Sequence, residues 1–136
     1  MKFRHQSQSI SIGALWKRQL LPHGHWYRRP PIPADIAPLL VAGEEPIAAF
    51  KTFRDSAVFT TKRLIMRDAQ GMTGKKVELY SLPYANINMW SSENAGTLDF
   101  NAELELWTRA GKIKIKVGKS VDIRALDKLI ANVVLA

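Results

Sequence analysis

The sequence predicts a mainly β (α+β) fold, a barrel of seven antiparallel strands capped by one C-terminal α-helix. In residues 97–107 every second side chain is apolar, and residues 112–117 repeat this alternation with lysines between. A period of two is typical of a strand that buries one face. From Ser120 the apolar spacing changes to that of an amphipathic helix, so the two strands lead into a helix that ends the chain.

Length and composition indicate one globular domain. The chain has 136 residues, of which 46% are apolar and 24% charged, and a chain of this size buries roughly two-thirds of its unfolded surface. It contains no cysteine, which excludes disulfides and thiolate chemistry and suits a reducing compartment. No apolar run approaches the roughly 18 residues of a membrane span, and we identify no secretory signal. We therefore expect a cytoplasmic protein.

The positive charge is concentrated at the N-terminus. The net charge is +8, and residues 1–34 contain six basic and no acidic residues. The remaining 14 basic residues (20 − 6) face all 12 acidic residues, so residues 35–136 carry only two of the eight excess charges. Four prolines interrupt residues 1–34. We interpret this stretch as a poorly ordered basic arm with one short amphipathic helix around Ile12, Leu15 and Trp16, and residues 35–136 as the domain.

Short β runs follow from residue 47. The predicted strands are residues 47–53, 56–60, 63–68, 75–82, 87–93, 97–107 and 112–117. Two-residue turns are expected at Arg54-Asp55 and at Thr61-Lys62, and Pro83 should end the fourth strand. Before the strands, residues 34–42 favour a helical turn capped by Asp35 and stopped by Gly43.

The last two strands should constrain each other. A turn at Ala110-Gly111 sets Leu106 opposite Ile115 and Leu104 opposite Val117, with Glu105 opposite Lys116 and Trp107 opposite Lys114. A slip by one residue would place lysines against leucines, so the odd-parity pairing is favoured.

The closing helix should begin at Ser120 or Asp122, since either side chain can cap it. One face is apolar and the other polar. The apolar face contains Ile123, Leu126, Leu129, Ile130, Val133 and Val134, and the polar face contains Arg124, Asp127, Lys128 and Asn132. Such a stripe predicts that the helix docks on the sheet.

A series of ordered motifs resembles one bacterial family. The motifs are Gly43-Glu44-Glu45, Phe53-Arg54-Asp55, Val58-Phe59-Thr60, Lys62-Arg63-Leu64-Ile65, Gly71, Thr73-Gly74-Lys75-Lys76, Pro83-Tyr84, Ala95-Gly96-Thr97, Glu103-Leu104 and Val121-Asp122-Ile123. From about residue 39 to the C-terminus the chain is similar to the single-domain bacterial pleckstrin-homology (PH) proteins. The resemblance implies a PH-like barrel and assembly into ring-shaped homo-oligomers, with no established enzymatic activity or ligand. The arm does not resemble the usual start of that family.

The first sheet is apolar on both faces. Neighbouring strand residues point to opposite sides, and a barrel has one interior, so some of these side chains must face outward. Either the arm or another subunit should cover them, because large apolar patches rarely stay exposed. The candidate self-association surface contains Phe50, Phe53, Val58, Phe59 and Ile65.

Basic residues around the first hairpin are the candidates for an anionic ligand. They are Lys51, Arg54, Lys62, Arg63, Lys75 and Lys76. Phosphoinositide sites need several converging cations, whereas this hairpin loop is short and carries Asp55. A solvated strand edge is the competing interpretation. The arm, with its basic and aromatic residues, could also tether the protein to an anionic membrane or hold nucleic acid, and we favour nucleic acid less.

Catalysis has little support in the sequence. The three histidines lie at positions 5, 23 and 25, all in the arm, where no rigid scaffold holds a general base. We expect no catalytic residue, no metal site and no cofactor. The sequence therefore favours a non-enzymatic module that forms a homo-oligomer and scaffolds protein partners. The alternative is peripheral binding to the inner membrane face through the arm and the basic edge of the barrel.

Overall fold

Two β-sheets and one helix form the domain. The computed structural model describes residues 8–12, 14–15, 32–51, 55–70, 75–97, 101–118 and 121–136. Its strands are β1 (Gln8–Ile12), β2 (Ala14–Leu15), β3 (Pro46–Lys51), β4 (Ser56–Thr60), β5 (Arg63–Gln70), β6 (Lys76–Pro83), β7 (Met89–Glu93), β8 (Asn101–Thr108) and β9 (Gly111–Gly118). The helix α1 spans Ile123–Val134, and single 3-10 turns lie at Ala37–Leu39 and Tyr84–Asn86.

The strand order confirms the predicted fold class. One sheet has the order β2-β3-β4-β5-β6 and the other β1-β9-β8-β7. Strands β3 to β9 correspond to the seven predicted strands, and every hydrogen-bonded pair among them is antiparallel. Two predicted starts were too early, because β7 begins at Met89 and not at residue 87, and β8 begins at Asn101 and not at residue 97. Together with α1 they make the mainly β, helix-capped fold that the sequence predicts.

Two further strands come from the arm. Strand β1 pairs in parallel with β9, and β2 pairs antiparallel with β3. The predicted amphipathic helix is wrong where the structure describes the arm, because Ile12 and Leu15 lie in these strands. Residues 9–12 read Ser-Ile-Ser-Ile, an alternation of β-branched and small polar residues that suits a strand.

Two predicted turns need correction. Lys51 pairs with Ser56, so residues 52–55 connect β3 to β4 in place of a two-residue turn at Arg54-Asp55. Leu106 pairs with Ile113 and not with Ile115, which moves the β8–β9 turn to Arg109-Ala110. Both registers differ by two residues from the predicted ones. A shift of two keeps each side chain on its face, so alternation alone does not distinguish the registers.

Local hydrogen bonds fix the β8–β9 turn. The Thr108 hydroxyl accepts from the Ala110 N–H at 3.1 Å and donates to the Gly111 carbonyl at 2.8 Å. Gly111 has φ +133°, a conformation that favours glycine. The turn at Thr61-Lys62, by contrast, was predicted correctly, since Phe59 pairs with Leu64.

The main core lies between the two sheets and α1. It includes Phe59, Leu104 and Ile115 from the sheets, each fully buried, and Ile130 from the helix. Asp122 caps α1 by accepting from the N–H groups of residues 124 and 125 at 3.1 Å each. Four of the six residues of the predicted apolar face are buried, and Val133 and Val134 pack at the margin. The docking of α1 on the sheet is thus confirmed.

A second, smaller core lies on the outer face of the β3–β6 sheet. Ala49, Val58 and Ile65 are buried there beneath Ile36, which has no exposed surface. Ile32, Leu40 and Leu79 pack around them. Residues 32–44, which we call the strap, therefore cover the second apolar face that the sequence predicts. Asp35 does not cap the helical turn in the strap; its carboxylate binds Arg67 Nε at 2.6 Å.

Candidate functional site

The outer edges of β9 and β3 are the first candidate site, because each already receives an added strand. Residues 8–12 pair with residues 113–117 of β9 without a shift in register. Ala14 and Leu15 pair with Lys51 and Phe50 of β3. Only Gly13 separates β1 from β2, so one short segment joins both sheets on the same side of the domain. The seven-strand core thus binds extended chain through its backbone.

The outward face of β8 and β9 is a charged surface beside this edge. Lys114 Nζ lies 3.2 Å from Glu105 and 3.5 Å from Glu103, and Lys112 Nζ lies 3.5 Å from Glu105. The hydrogen bond to Glu105 and the charge of Glu103 raise the pKa of Lys114. Lys112 also lies 5.6 Å from the centre of the Trp107 ring, close enough for a cation–π contact. These half-buried surface pairs contribute little stability each, but they set the charge pattern of the face.

Glu44 is the centre of a buried polar network that holds the strap. Arg63 binds both of its carboxylate oxygens, with Nε and one terminal nitrogen each at 3.0 Å, and the Thr60 hydroxyl donates at 2.6 Å. Burial opposes ionisation of Glu44, but the hydrogen bonds from Arg63, Thr60 and the Val41 N–H outweigh it and lower the pKa to about 2. The carboxylate is therefore a charged anchor at neutral pH.

Arg63 and Tyr84 extend the network to the neighbouring elements. Arg63 also donates to the Leu39 carbonyl at 2.7 Å and to the Ser81 hydroxyl at 3.1 Å. The Tyr84 hydroxyl lies 2.6 Å from the Thr60 carbonyl and 2.9 Å from the Arg63 carbonyl. Burial raises the pKa of Tyr84, so its hydroxyl stays protonated. The network is structural, because it ties the strap to the β4–β5 turn and to the end of β6.

The sequence did not predict this network as a unit, although all four of its residues lie in the family motifs. Glu44, Thr60, Arg63 and Tyr84 each fall in a motif through which the sequence resembles the PH family. Glu44 and Arg63 are 19 positions apart, so no local spacing could link them. The occurrence of all four residues in the family motifs was the sequence feature that could have indicated the network.

A second polar contact joins α1 to β7. The Asp127 carboxylate accepts from Trp90 Nε1 at 3.0 Å and from the Ser92 hydroxyl, and these hydrogen bonds lower the pKa of Asp127. Arg124 donates to the Ser92 hydroxyl at 2.9 Å and to the Ser92 carbonyl at 3.2 Å. Asp127 and Arg124 belong to the predicted polar face of the helix, and both bind β7 and fix the helix along its edge.

The predicted self-association residues lie inside the single chain. Phe50, Phe59, Val58 and Ile65 are each at most 5% exposed. The first two belong to the main core, where their rings meet edge to face at 5.9 Å, and the other two lie under the strap. Phe53 lies outside the described residues. The four described side chains are thus buried within one chain, and self-association through Phe53 stays a prediction.

Among the described side chains, the candidate basic residues Lys62, Arg63 and Lys76 do not converge on one point. Lys62 and Arg63 lie at one end of β5, while Lys76 pairs with Gln70 at the other end. Seven strand steps separate these ends by about 23 Å. Arg63 is engaged by Glu44, and Lys62, Lys75 and Lys76 are exposed. Arg54 and the side chain of Lys51 lie outside the described residues.

The described ranges hold neither a metal-binding cluster nor a membrane-spanning helix. They contain no cluster of three histidine, aspartate or glutamate residues that could hold a metal ion. No helix among them is long and apolar enough to cross a bilayer. The histidines at positions 5, 23 and 25, and the basic residues of the arm, lie outside the described residues.

Comparisons with known proteins agree with this geometry. The family model of the bacterial PH domain matches residues 25–134. YjqA of Bacillus subtilis (strain 168) is 41% identical over 102 residues, which cover 73% of this chain and 82% of YjqA.

Two solved structures are similar in fold and sequence. A DUF1696 family protein with a pleckstrin-homology domain from Shewanella loihica PV-4 has a TM-score of 0.68 and 39% identity, covering 74% of this chain and 87% of that one. A pleckstrin homology domain from Shewanella amazonensis SB2B has a TM-score of 0.62 and 41% identity, covering 76% and 85%. The chain, with its seven-strand core and docked terminal helix, belongs to the bacterial PH domain family.

Proposed function

We propose that this protein is a non-enzymatic PH-like interaction module that assembles into a homo-oligomer and presents a scaffold to protein partners in the cytoplasm. The observation that carries the proposal is the pairing of β1 with β9 and of β2 with β3. A domain whose sheet edges accept extended chain can bind partners through the same backbone groups.

The polar groups of the domain support a binding role over a catalytic one. The two carboxylates with lowered pKa values, those of Glu44 and Asp127, are held by hydrogen bonds that fix the strap and the helix. The Tyr84 hydroxyl is likewise committed to two carbonyl groups. A general base needs a group that can reach substrate, and these groups are occupied by structural contacts.

Among the described residues, the lack of convergence of Lys62, Arg63 and Lys76 argues against a headgroup site. Lys62 and Lys76 stand at opposite ends of β5 and β6, and the Arg63 guanidinium is bound to Glu44. A phosphorylated headgroup requires several cations on one ligand. Protein–protein contact through the sheet edges therefore fits the described surface better than lipid recognition.

Light scattering on the full chain across a wide concentration range tests the proposal. We expect a defined multiple of the 15.3 kDa chain mass. A single species of 15.3 kDa at every concentration would contradict self-assembly.

A further inference from the structure

We propose that strands β1 and β2 exchange between copies, so that residues 8–15 of one chain pair with β9 and β3 of a second chain. The proposal rests on the self-assembly proposed above and names the contact that produces it. The occupant of the two sheet edges is then the same segment of another copy.

The segment acts as one unit. Strand β1 spans Gln8–Ile12 and β2 spans Ala14–Leu15, with a single residue between them. The edges that they occupy, β9 and β3, belong to different sheets. They lie on the same side of the domain, because β2 pairs with β3 and also contacts β9. A single recipient can therefore bind the whole segment, and exchange needs no rearrangement of the recipient core.

The chain that follows β2 is long enough to reach a second copy. Sixteen residues, positions 16–31, separate β2 from Ile32 in the strap. Fully extended, they span up to about 55 Å. A domain of about 100 residues has a radius of gyration of about 13 Å, so the edges of an adjacent copy lie within this reach.

The segment is an addition to the shared domain. The family match begins at residue 25, and all seven core strands and α1 follow that position. The seven-strand core is thus a unit to which β1 and β2 are added from outside.

Strand β9 carries the marks of a protected edge. Lys112, Lys114 and Lys116 alternate along its outward face. Lysine is one of the residues that discourage unwanted pairing at an exposed edge. Such an edge strand tolerates being unpaired, and β9 of the recipient must be unpaired before exchange.

Exchange between two copies uses the same strand pairings, β1 with β9 and β2 with β3, that form within one chain. The two arrangements differ in the path of residues 16–31 and in the concentration of copies, and exchange of identical elements is a low-cost route to oligomers. When each chain donates to the next, the contact is heterologous and closes into a ring if the rotation permits.

Cysteine pairing distinguishes the two arrangements, since the natural chain has no cysteine. Ser11 is the register partner of Lys116, and neighbouring strands lie about 4.8 Å apart, inside the roughly 4.4–6.8 Å that a disulfide tolerates. Lys116 is preferred because the ion pairs described above use Lys112 and Lys114. Two differently tagged full-length variants, Ser11→Cys and Lys116→Cys, are co-expressed, purified and oxidised. The control pairs Ser11→Cys with Lys128→Cys, an exposed position on α1.

Exchange should give about tenfold more disulfide-linked heterodimer for the register pair than for the control, because pairing raises the local concentration of the two thiols. If light scattering shows a multimer but the register pair forms no more disulfide-linked heterodimer than the control, exchange is overturned and the proposed function stands. A monomeric protein would contradict both. A chain that carries both Ser11→Cys and Lys116→Cys should form disulfide-linked multimers. A disulfide within one chain only, or no disulfide, would also overturn the proposal.

Discussion

Replacing Glu44 with Gln tests the physical role of the buried network that holds the strap. The substitution keeps the shape of the side chain but removes the charge that binds both Nε and a terminal nitrogen of Arg63. The strap should then separate more readily from the outer face of the β3–β6 sheet, where Ile36 is fully buried.

The magnitude follows from the pKa of Glu44. Its value falls from 4.5 to about 2 on folding, and each pKa unit corresponds to about 1.4 kcal/mol, so ionised Glu44 contributes about 3 kcal/mol to the free energy of unfolding. Because the folded-state pKa is lowered, this contribution is fully present above about pH 4.5 and is lost as the pH falls towards 2.

Urea denaturation at several pH values measures this contribution. At pH 7 the Glu44→Gln variant should be about 3 kcal/mol less stable than the natural chain, and the difference should shrink between pH 4.5 and pH 2. Glu93→Gln, at an exposed position on β7, is the matched control and should change stability by no more than about 0.5 kcal/mol. A Glu44→Gln variant as stable as this control at pH 7, or a difference independent of pH, would refute the role assigned to the network.

Three further predictions concern the helix, a turn and the anionic surface. Asp127→Asn, which weakens the contacts to β7, should lower the free energy of unfolding in urea by about 1–2 kcal/mol; an unchanged value would mean that apolar packing alone holds α1. Gly111→Ala should lower the free energy of unfolding by about 1–3 kcal/mol in the same assay. The cause is backbone strain at φ +133° and not a steric clash, because a Cβ at this position meets no atom within 4 Å. A neutral substitution would show that the turn relaxes freely. In sedimentation with phosphatidylserine vesicles, neutralising the six basic residues of the arm should remove the binding that the natural chain shows. The double variant Lys62→Ala with Lys76→Ala should bind as the natural chain does. A loss of binding in this double variant would place an anionic-ligand site on the domain.

The sequence was sufficient to predict strands β3 to β9 and the helix, but it did not predict strands β1 and β2 of the arm. Strands β8 and β9 alternate strictly, and α1 has an apolar stripe and an aspartate at its cap, so the local pattern and the tertiary burial agree. The registers of two hairpins were each wrong by two residues, because a shift of two preserves the buried face. Turn hydrogen bonds such as those of Thr108 decide between such registers, and they depend on local geometry that periodicity does not describe.

The sequence predicted that the outer sheet face is covered, but not which residues cover it. The apolar character of both faces indicated a cover, and the sequence left open whether the arm or a second subunit supplied it. The strap supplies it through Ile36, which lies in the apolar stretch of residues 36–42, where neither alternation nor helical spacing singles it out. The Glu44–Arg63 pair that fixes the strap joins residues far apart in the chain, and only the folded structure brings them together.

Native mass spectrometry of the intact chain is the most direct test that the domain assembles through its sheet edges. We expect one discrete complex whose mass is an integer multiple of 15.3 kDa, and its partial dissociation when Ile10, in the middle of β1, is replaced by proline. A mass of 15.3 kDa for the natural chain, or a complex that the Ile10→Pro substitution leaves unchanged, would contradict assembly through this edge.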